Sequence, residues 1–225
     1  AKNLSESLEM ARIAVADGID TIVGTPHNRD VRDRHSLTIA LERKKSLDDC
    51  IIGESLPLKI VFGMENHLES DLVEQLEKGH VLPIEGTRYI LLELPFDFYP
   101  YYTIEVIDRI LSLNFIPIIA HPERNSNIQN DIRLFENLYK AGALIQISTE
   151  SLEGYFGNKS YNSAKLFLIN GFVHFLGSDG HSSSGNRLPR LSKSLLHVEK
   201  LIGPDKARKL VIDNPKSMLL NHPIK

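Results

Sequence analysis

The feature that most constrains this 225-residue chain is a regular alternation of short apolar runs with segments of helical period. Strands are predicted at Thr21–Gly24, Leu58–Phe62, Tyr89–Leu92, Ile116–Ala120, Leu144–Ile147 and Phe172–Leu176. Between them the apolar residues return every three or four positions. Asn3 with Glu6 forms a capping-box pattern ahead of Leu4, Leu8, Ala11 and Val15, and Gly18 ends that helix. Further helices are predicted over Leu37–Ile52, Glu69–Lys78, Thr103–Asn114, Asp131–Ala141, Ser160–Asn170, Leu188–Leu201 and from Asp205 onward. Short apolar strands alternating with helices imply a parallel sheet with helices outside it. No Gly/Ser-rich linker divides the pattern, so one closed domain over residues 1–225 is expected. The pattern opens with a helix, as if its first unit had lost its β half. Counting that strand gives seven βα units against six visible strands.

Composition limits the partners. The net charge is −3, so no broad basic face for nucleic acid is expected. No apolar run approaches the ~20 residues of a membrane span, so no membrane insertion is expected. Cys50 is the one cysteine, which excludes an internal disulfide and favours a reducing, cytoplasmic setting.

In parallel α/β folds, function gathers at the carboxyl ends of the strands. The first strand runs into Thr25-Pro26-His27, and the second into Gly63-Met64-Glu65. The third runs into Glu93, the fourth into His121-Pro122-Glu123-Arg124, and the sixth into Ser178-Asp179-Gly180-His181. The fifth leads to Ser148 and Thr149, with no evident ligand. His27, His121, His181, Glu65, Glu93 and Asp179 should therefore converge on one rim. Carboxylates packed together resist ionising unless a cation relieves their repulsion. Mixed nitrogen and oxygen donors suit Mn, Fe or Zn better than Ca or Mg. Of the other histidines, His67 lies nearest to this set; His35, His80, His174, His197 and His222 read as structural or solvated.

With Tyr89-Ile90-Leu91-Leu92-Glu93-Leu94-Pro95-Phe96, Ser7-Leu8-Glu9-Met10-Ala11-Arg12 and the stretch from Gly142 to Gly157 added, these motifs resemble the polymerase-and-histidinol-phosphatase (PHP) superfamily. They more closely resemble the bacterial metal-dependent protein-tyrosine phosphatases of capsule and exopolysaccharide loci. The resemblance spans essentially the whole chain. It implies a distorted (β/α)7 TIM-like barrel, the PHP fold, and a divalent metal cluster with Mn favoured and Fe or Zn as alternatives. It also implies a phosphotyrosine protein substrate, a bacterial tyrosine kinase controlling polysaccharide export. Two departures stand out. The family's first strand carries a His-x-His pair that no residue here supplies. The favoured explanation is a preceding segment, and the other is a homologue lacking one metal site. The second departure is Asn28, where many relatives carry a second histidine.

The resemblance implies phosphomonoester hydrolysis on tyrosine. A metal pair can bridge the phosphate and lower the pKa of bound water to ~7. Cys50 sits on a predicted helix, outside any Cys-x5-Arg loop, and reads as a core thiol. Arg124 and Arg187 are the expected phosphate-binding groups, with Arg190 a weaker alternative because the loop before Arg187 is about one residue longer than in relatives. Phe96, Phe98, Tyr99, Tyr101 and Tyr102 could wall the substrate ring or simply cover the rim. A small-molecule phosphatase such as histidinol-phosphate phosphatase, and a non-catalytic binding homologue, remain the alternative functions. The oligomeric state is not legible.

Overall fold

A computed structural model describes residues 1–31 and 34–224. Helix α1 (Leu4–Ala16) starts as its capping residues require: the Asn3 side chain accepts the Glu6 N–H at 2.9 Å, and Glu6 accepts the Lys2 N–H at 2.5 Å. The chain continues through β1 (Thr21–Gly24), α2 (Arg34–Gly53), β2 (Lys59–Phe62), β3 (Glu65–His67), α3 (Leu72–Glu77) and β4 (Tyr89–Glu93). It then runs through α4 (Thr103–Ser112), β5 (Ile116–Ala120), α5 (Ser126–Asn130), α6 (Ile132–Lys140), β6 (Leu144–Ser148), α7 (Thr149–Leu152) and α8 (Gly157–Ile169). Strand β7 (Phe175–Gly177) and helices α9 (Ser192–Ile202), α10 (Pro204–Arg208) and α11 (Asn214–Leu219) complete it. No helix among the described residues is long and apolar enough to cross a membrane.

The strand pairings are parallel, in a two-stranded ladder β1-β2 and a five-stranded ladder β3-β4-β5-β6-β7. Among the described residues a bridge from His27 to Glu65 joins them. The α/β class is as expected, but two strands differ from the reading. Glu65–His67 is a strand rather than a loop; three residues, all polar, offer no apolar run to detect. The last strand begins at Phe175 rather than Phe172, because the Phe172 ring packs against Phe135 and Tyr139, at 5.6 and 4.9 Å between centroids. Helix α9 likewise begins at Ser192 rather than Leu188. Asp17, distant in sequence, accepts the N–H groups of Leu191 and Ser192 at 2.7 and 3.0 Å and so fixes its start.

Period two divides the sheet residues between two cores. Ile90, Leu92, Ile119, Ile145 and Ile147 face the helices and join Val106, Ile110, Phe135, Leu138 and Phe167. The Phe135 and Phe167 rings stack at 3.6 Å there. Tyr89, Leu91, Ile118, Ala120, Leu144 and Phe175 face the other way. Val61 of β2 joins this inner cluster, with Val23 of β1 packed against it, so both ladders contribute to one interior cluster. Met218 of α11 is buried in the same cluster.

His174 shows how a polar residue extends a ladder. Its backbone N–H donates to Ile145 O at 2.9 Å, and its Nδ1 accepts the Ile145 N–H at 3.0 Å. Burial pushes its imidazole down to about 4, so it stays neutral and serves as an acceptor. A histidine so depressed binds fewer protons folded than unfolded, so its contribution erodes as pH falls from about 6.5 to about 4. His174→Phe should cost about 1–3 kcal/mol at pH 7, because Ile145 N–H is left unpaired, and the loss relative to wild type should shrink toward pH 4. Urea unfolding at pH 7 and pH 4.5 measures both; an equal loss at the two pH values would show that the imidazole's charge state is irrelevant.

Candidate metal centre

Register assembles the site. His67 on β3 lies level with Glu93 on β4, and Glu93 lies level with Ala120, one residue before His121. The His27–Glu65 bridge brings the segment after β1 beside β3, in register with Leu91, two residues before Glu93. Glu93 shares its face with Tyr89 and Leu91, so its carboxylate rises from the inner core at the carboxyl end of the sheet.

The six expected ligands line one cleft of about 410 Å³, together with Arg124 and Arg187. Glu65 and Glu93 lie at its floor, 6% and 7% exposed. His27 Nε2 is 3.3 Å from Glu65 Oε2, and His121 Nε2 is 3.2 Å from Glu65 Oε1 and 3.5 Å from Glu93 Oε1. The His27 and His181 rings are 5.9 Å apart, which brings the ends of the first and last strands together. His27, Glu65 and Glu93 each offer a ligand atom, and all three atoms lie within 4.8 Å of one another. Donors bound at ~2.1 Å to one tetrahedral ion stand about 3.4 Å apart, and the His27–Glu65 pair, at 3.3 Å, matches that spacing. The donor set, imidazole nitrogen with carboxylate oxygen, fits a transition metal.

Two of the six sit in strained backbone. His121 has φ +32° and Asp179 φ +45°, the left-handed region that residues with a Cβ seldom occupy. Simple alternation after inward-facing Ala120 would turn residue 121 toward the helices. The left-handed turn instead aims its imidazole at Glu65 and Glu93. Gly180 follows Asp179 because a Cβ there would meet the Pro189 backbone at 3.0 Å.

Buried carboxylates persist here because cations face them. Burial pushes Glu93 up, but contact with His67 and the charges of His121 and His27 outweigh it, and its pKa lies below the ordinary value. Burial likewise opposes charge on His121, yet its hydrogen bond to Glu65 holds its pKa above the usual value. Asp179 receives both arginines: Arg124 Nη1 donates to its Oδ2 at 2.9 Å, and Arg187 Nη2 donates to the same oxygen. Arg190, the weaker alternative, is not among the cleft-lining residues.

Three cleft residues, His67, Arg29 and Asp30, fell outside the expected set, and Phe96 had been expected only as wall or cover. His67 is in ion-pair contact with Glu93 Oε2 at 2.8 Å, off the angle of a good hydrogen bond. Its proximity to Glu65 in sequence was the only signal. Arg29 and Asp30 reach the rim from a single helical turn after His27. Phe96, expected as wall or cover, lines the cleft with its ring 5.8 Å from His121. Beyond the cleft lining, two carboxyls on the same strand ends are also buried, with one oxygen each unpaired. Burial raises Glu123, while its other oxygen accepts the Ser148 N–H at 3.0 Å. Burial raises Glu150 to about 7, with nearby Asp179 adding to the shift and Arg187 opposing it. Glu150 lies on α7 just after β6 and does not line the cleft.

Histidines, carboxylates and arginines clustered at the strand ends of a parallel α/β protein give it the donor set of a metal-binding α/β protein. Comparison with known proteins narrows this. The family model for capsular polysaccharide synthesis proteins CpsB/CapC matches residues 1–220, and the chain belongs to that family. It is 33% identical over 225 residues to the tyrosine-protein phosphatase YwqE of Bacillus subtilis, covering all of this chain and 87% of that protein. It is 27% identical over 234 residues to the tyrosine-protein phosphatase CpsB of Streptococcus pneumoniae, covering 98% and 92% of the two chains. A solved structure from the work on YwqE and CpsB, described as unique metal-dependent tyrosine phosphatases, superposes with a TM-score of 0.89. Its identity is 32%, and the match covers 100% of this chain and 90% of that one.

Glu150 supplies a prediction on stability. A carboxyl raised to about 7 keeps its proton folded where the unfolded chain has released it, so stability falls as pH rises from about 4.5 to about 7. Glu150→Gln should remove that slope and gain up to about 3 kcal/mol over wild type at pH 8. Guanidinium unfolding at pH 5 and pH 8 in EDTA tests this; parallel curves for the two proteins would refute it.

Proposed function

We propose that this chain is a metal-dependent protein-tyrosine phosphatase acting on a bacterial tyrosine kinase of the capsule or exopolysaccharide system. The observation that carries the proposal is one cleft joining four imidazoles, four carboxylates and three guanidinium groups. Whole-length likeness to proteins named as tyrosine phosphatases supports it. We read the curled parallel sheet as a distorted (β/α)7 barrel forming one domain over residues 1–225, in a cytoplasmic protein. The shared inner cluster of both ladders and the approach of His27 to His181 support that reading.

On this reading, His27, Glu65, Glu93, His121, Asp179 and His181 hold divalent metal, with Mn favoured over Fe or Zn. Bound metal supplies charge neutralisation for the phosphate and activation of a water molecule. The protein's own residues do the rest. Glu65 and Glu93 face more than one imidazole each, so both oxygens of each carboxylate are placed for ligation. His67 fixes the far oxygen of Glu93, leaving the other toward His121. Arg124 and Arg187 bring planar donor forks to the side of the cleft occupied by Asp179, where they would grip non-bridging phosphate oxygens. Phe96 lies at the lip, 41% exposed, where it can meet the substrate's aromatic ring. The leaving phenolate, with a pKa of ~10, departs without strong acid help. No general acid is therefore assigned.

His121→Ala should cut turnover of a phosphotyrosine peptide by about a hundredfold or more while leaving the far-UV circular dichroism unchanged, since a ligand is lost and no core residue. Activity should vanish in EDTA and return with Mn. The same assays with histidinol phosphate separate the substrate classes: faster hydrolysis of histidinol phosphate than of the peptide would overturn the tyrosine assignment. Folded wild-type protein that binds metal but hydrolyses neither would indicate a binding homologue.

A further inference from the structure

Arg124 is flanked by two aromatic rings, only one of which lines the cleft. The guanidinium carbon of Arg124 lies over the Phe96 ring at 4.3 Å and over the Phe156 ring at 4.0 Å. Phe96 lines the cleft, but Phe156 does not. Phe156 comes from the turn between α7 and α8, a Gly154-Tyr155-Phe156-Gly157 segment in which both glycines have positive φ, +77° and +84°. The Gly157 N–H donates to Gly154 O at 3.0 Å, and the Tyr155 N–H donates to Glu150 O at 2.9 Å. A Cβ at either glycine would meet open space, so backbone conformation selects glycine here, not crowding. The result is a tight turn whose aromatic side chain is delivered onto an arginine 32 positions earlier.

A guanidinium is weakly hydrated on its faces and strongly donating at its edges. Aromatic rings in contact with the guanidinium carbon can meet the first need and leave the donors free. Arg124 is 13% exposed and spends Nη1 on Asp179. Three flexible methylenes would otherwise let so long a side chain swing between the carboxylate and solvent. Each ring contact restricts that motion without using a donor, and cation–π attraction grows as water is excluded.

We propose that Phe156, together with Phe96, forms an aromatic clamp that holds the Arg124 guanidinium in the orientation needed to bind the substrate's phosphate, making Phe156 a positioning residue for anion binding. The proposal rests on the phosphatase reading for its substrate, but the clamp itself predicts binding of any tetrahedral phosphate.

The test is a double-mutant cycle read out as inorganic phosphate affinity, by calorimetry on the Mn-loaded protein. Phe156→Leu should weaken phosphate binding about five- to tenfold, in line with one partly desolvated cation–π contact. Phe156→Trp should stay within about twofold of wild type, since it keeps an aromatic face. In an Arg124→Ala background, Phe156→Leu should add less than about twofold. The same factor in both backgrounds would mean that Phe156 only supports the fold, and would overturn the proposal. So would wild-type affinity in Phe156→Leu, a loss in Phe156→Trp equal to that in Phe156→Leu, or no phosphate binding by wild-type protein. Phosphotyrosine turnover is measured separately: a cycle that behaves as expected in a protein without turnover would keep the clamp and reject the phosphatase reading.

Discussion

Two buried carboxylates, Glu65 and Glu93, are the constraint on which the rest of this structure depends. An unpaired buried charge costs several kcal/mol. The fold answers by surrounding them with imidazoles from different strands: His27 and His121 on Glu65, His67 and His121 on Glu93. That arrangement requires several strand ends to finish at one level. Register therefore cannot slip by one residue without turning a carboxylate out of the cleft and an isoleucine or leucine into it. The electrostatic need of the site and the packing need of the sheet are met by the same alignment.

The arrangement carries a local cost. His121 and Asp179 accept left-handed backbone, a strain of order 1–3 kcal/mol each, to present their side chains. Neighbouring contacts hold them there. The His121 N–H donates to Gln146 O at 2.7 Å, and Asp179 is gripped by two arginines. Below them, Glu123 and Glu150 keep unpaired buried oxygens, a further cost borne at the carboxyl ends of β5 and β6. Strained backbone at His121 and Asp179 and unpaired oxygens of Glu123 and Glu150 thus lie close to the cleft. The opposite end is closed by apolar packing around Met218 and by Tyr89, whose hydroxyl donates to His222 O.

The arginines connect this metal-suited floor to a phosphate-binding wall. Both converge on one oxygen of Asp179, itself an expected ligand, so cation and anion sites share a residue. Such sharing couples the two: charge placed at Asp179 alters what Arg124 and Arg187 have left to give. Rings around Arg124 then matter, because they preserve its direction whichever partner its edge engages.

Much of this was legible in the sequence for a definite reason. Strand runs such as Tyr89–Leu92 and Ile116–Ala120 are buried on both faces, so they are written as continuous apolar stretches. The residue that ends such a run must stand at the rim. His27, Glu65, Glu93, His121, Asp179 and His181 followed from that rule, and Arg124 and Arg187 from their motifs. What the rule could not reach was decided by tertiary contacts. Strand β3 is polar and three residues long, and exists because β4 pairs with it. The last strand starts late because Phe172 is drawn into the helix-side core by Phe135 and Tyr139. His67 becomes part of the site because its ring meets Glu93 across a strand pair. Phe156 reaches Arg124 because two left-handed glycines turn it back, a contact between residues far apart in sequence. Local order along the chain fixes which residues end at the rim, because strand period is a property of neighbours. Which of them touch, and which aromatic stands behind which arginine, depends on register and turn geometry that only the assembled sheet supplies.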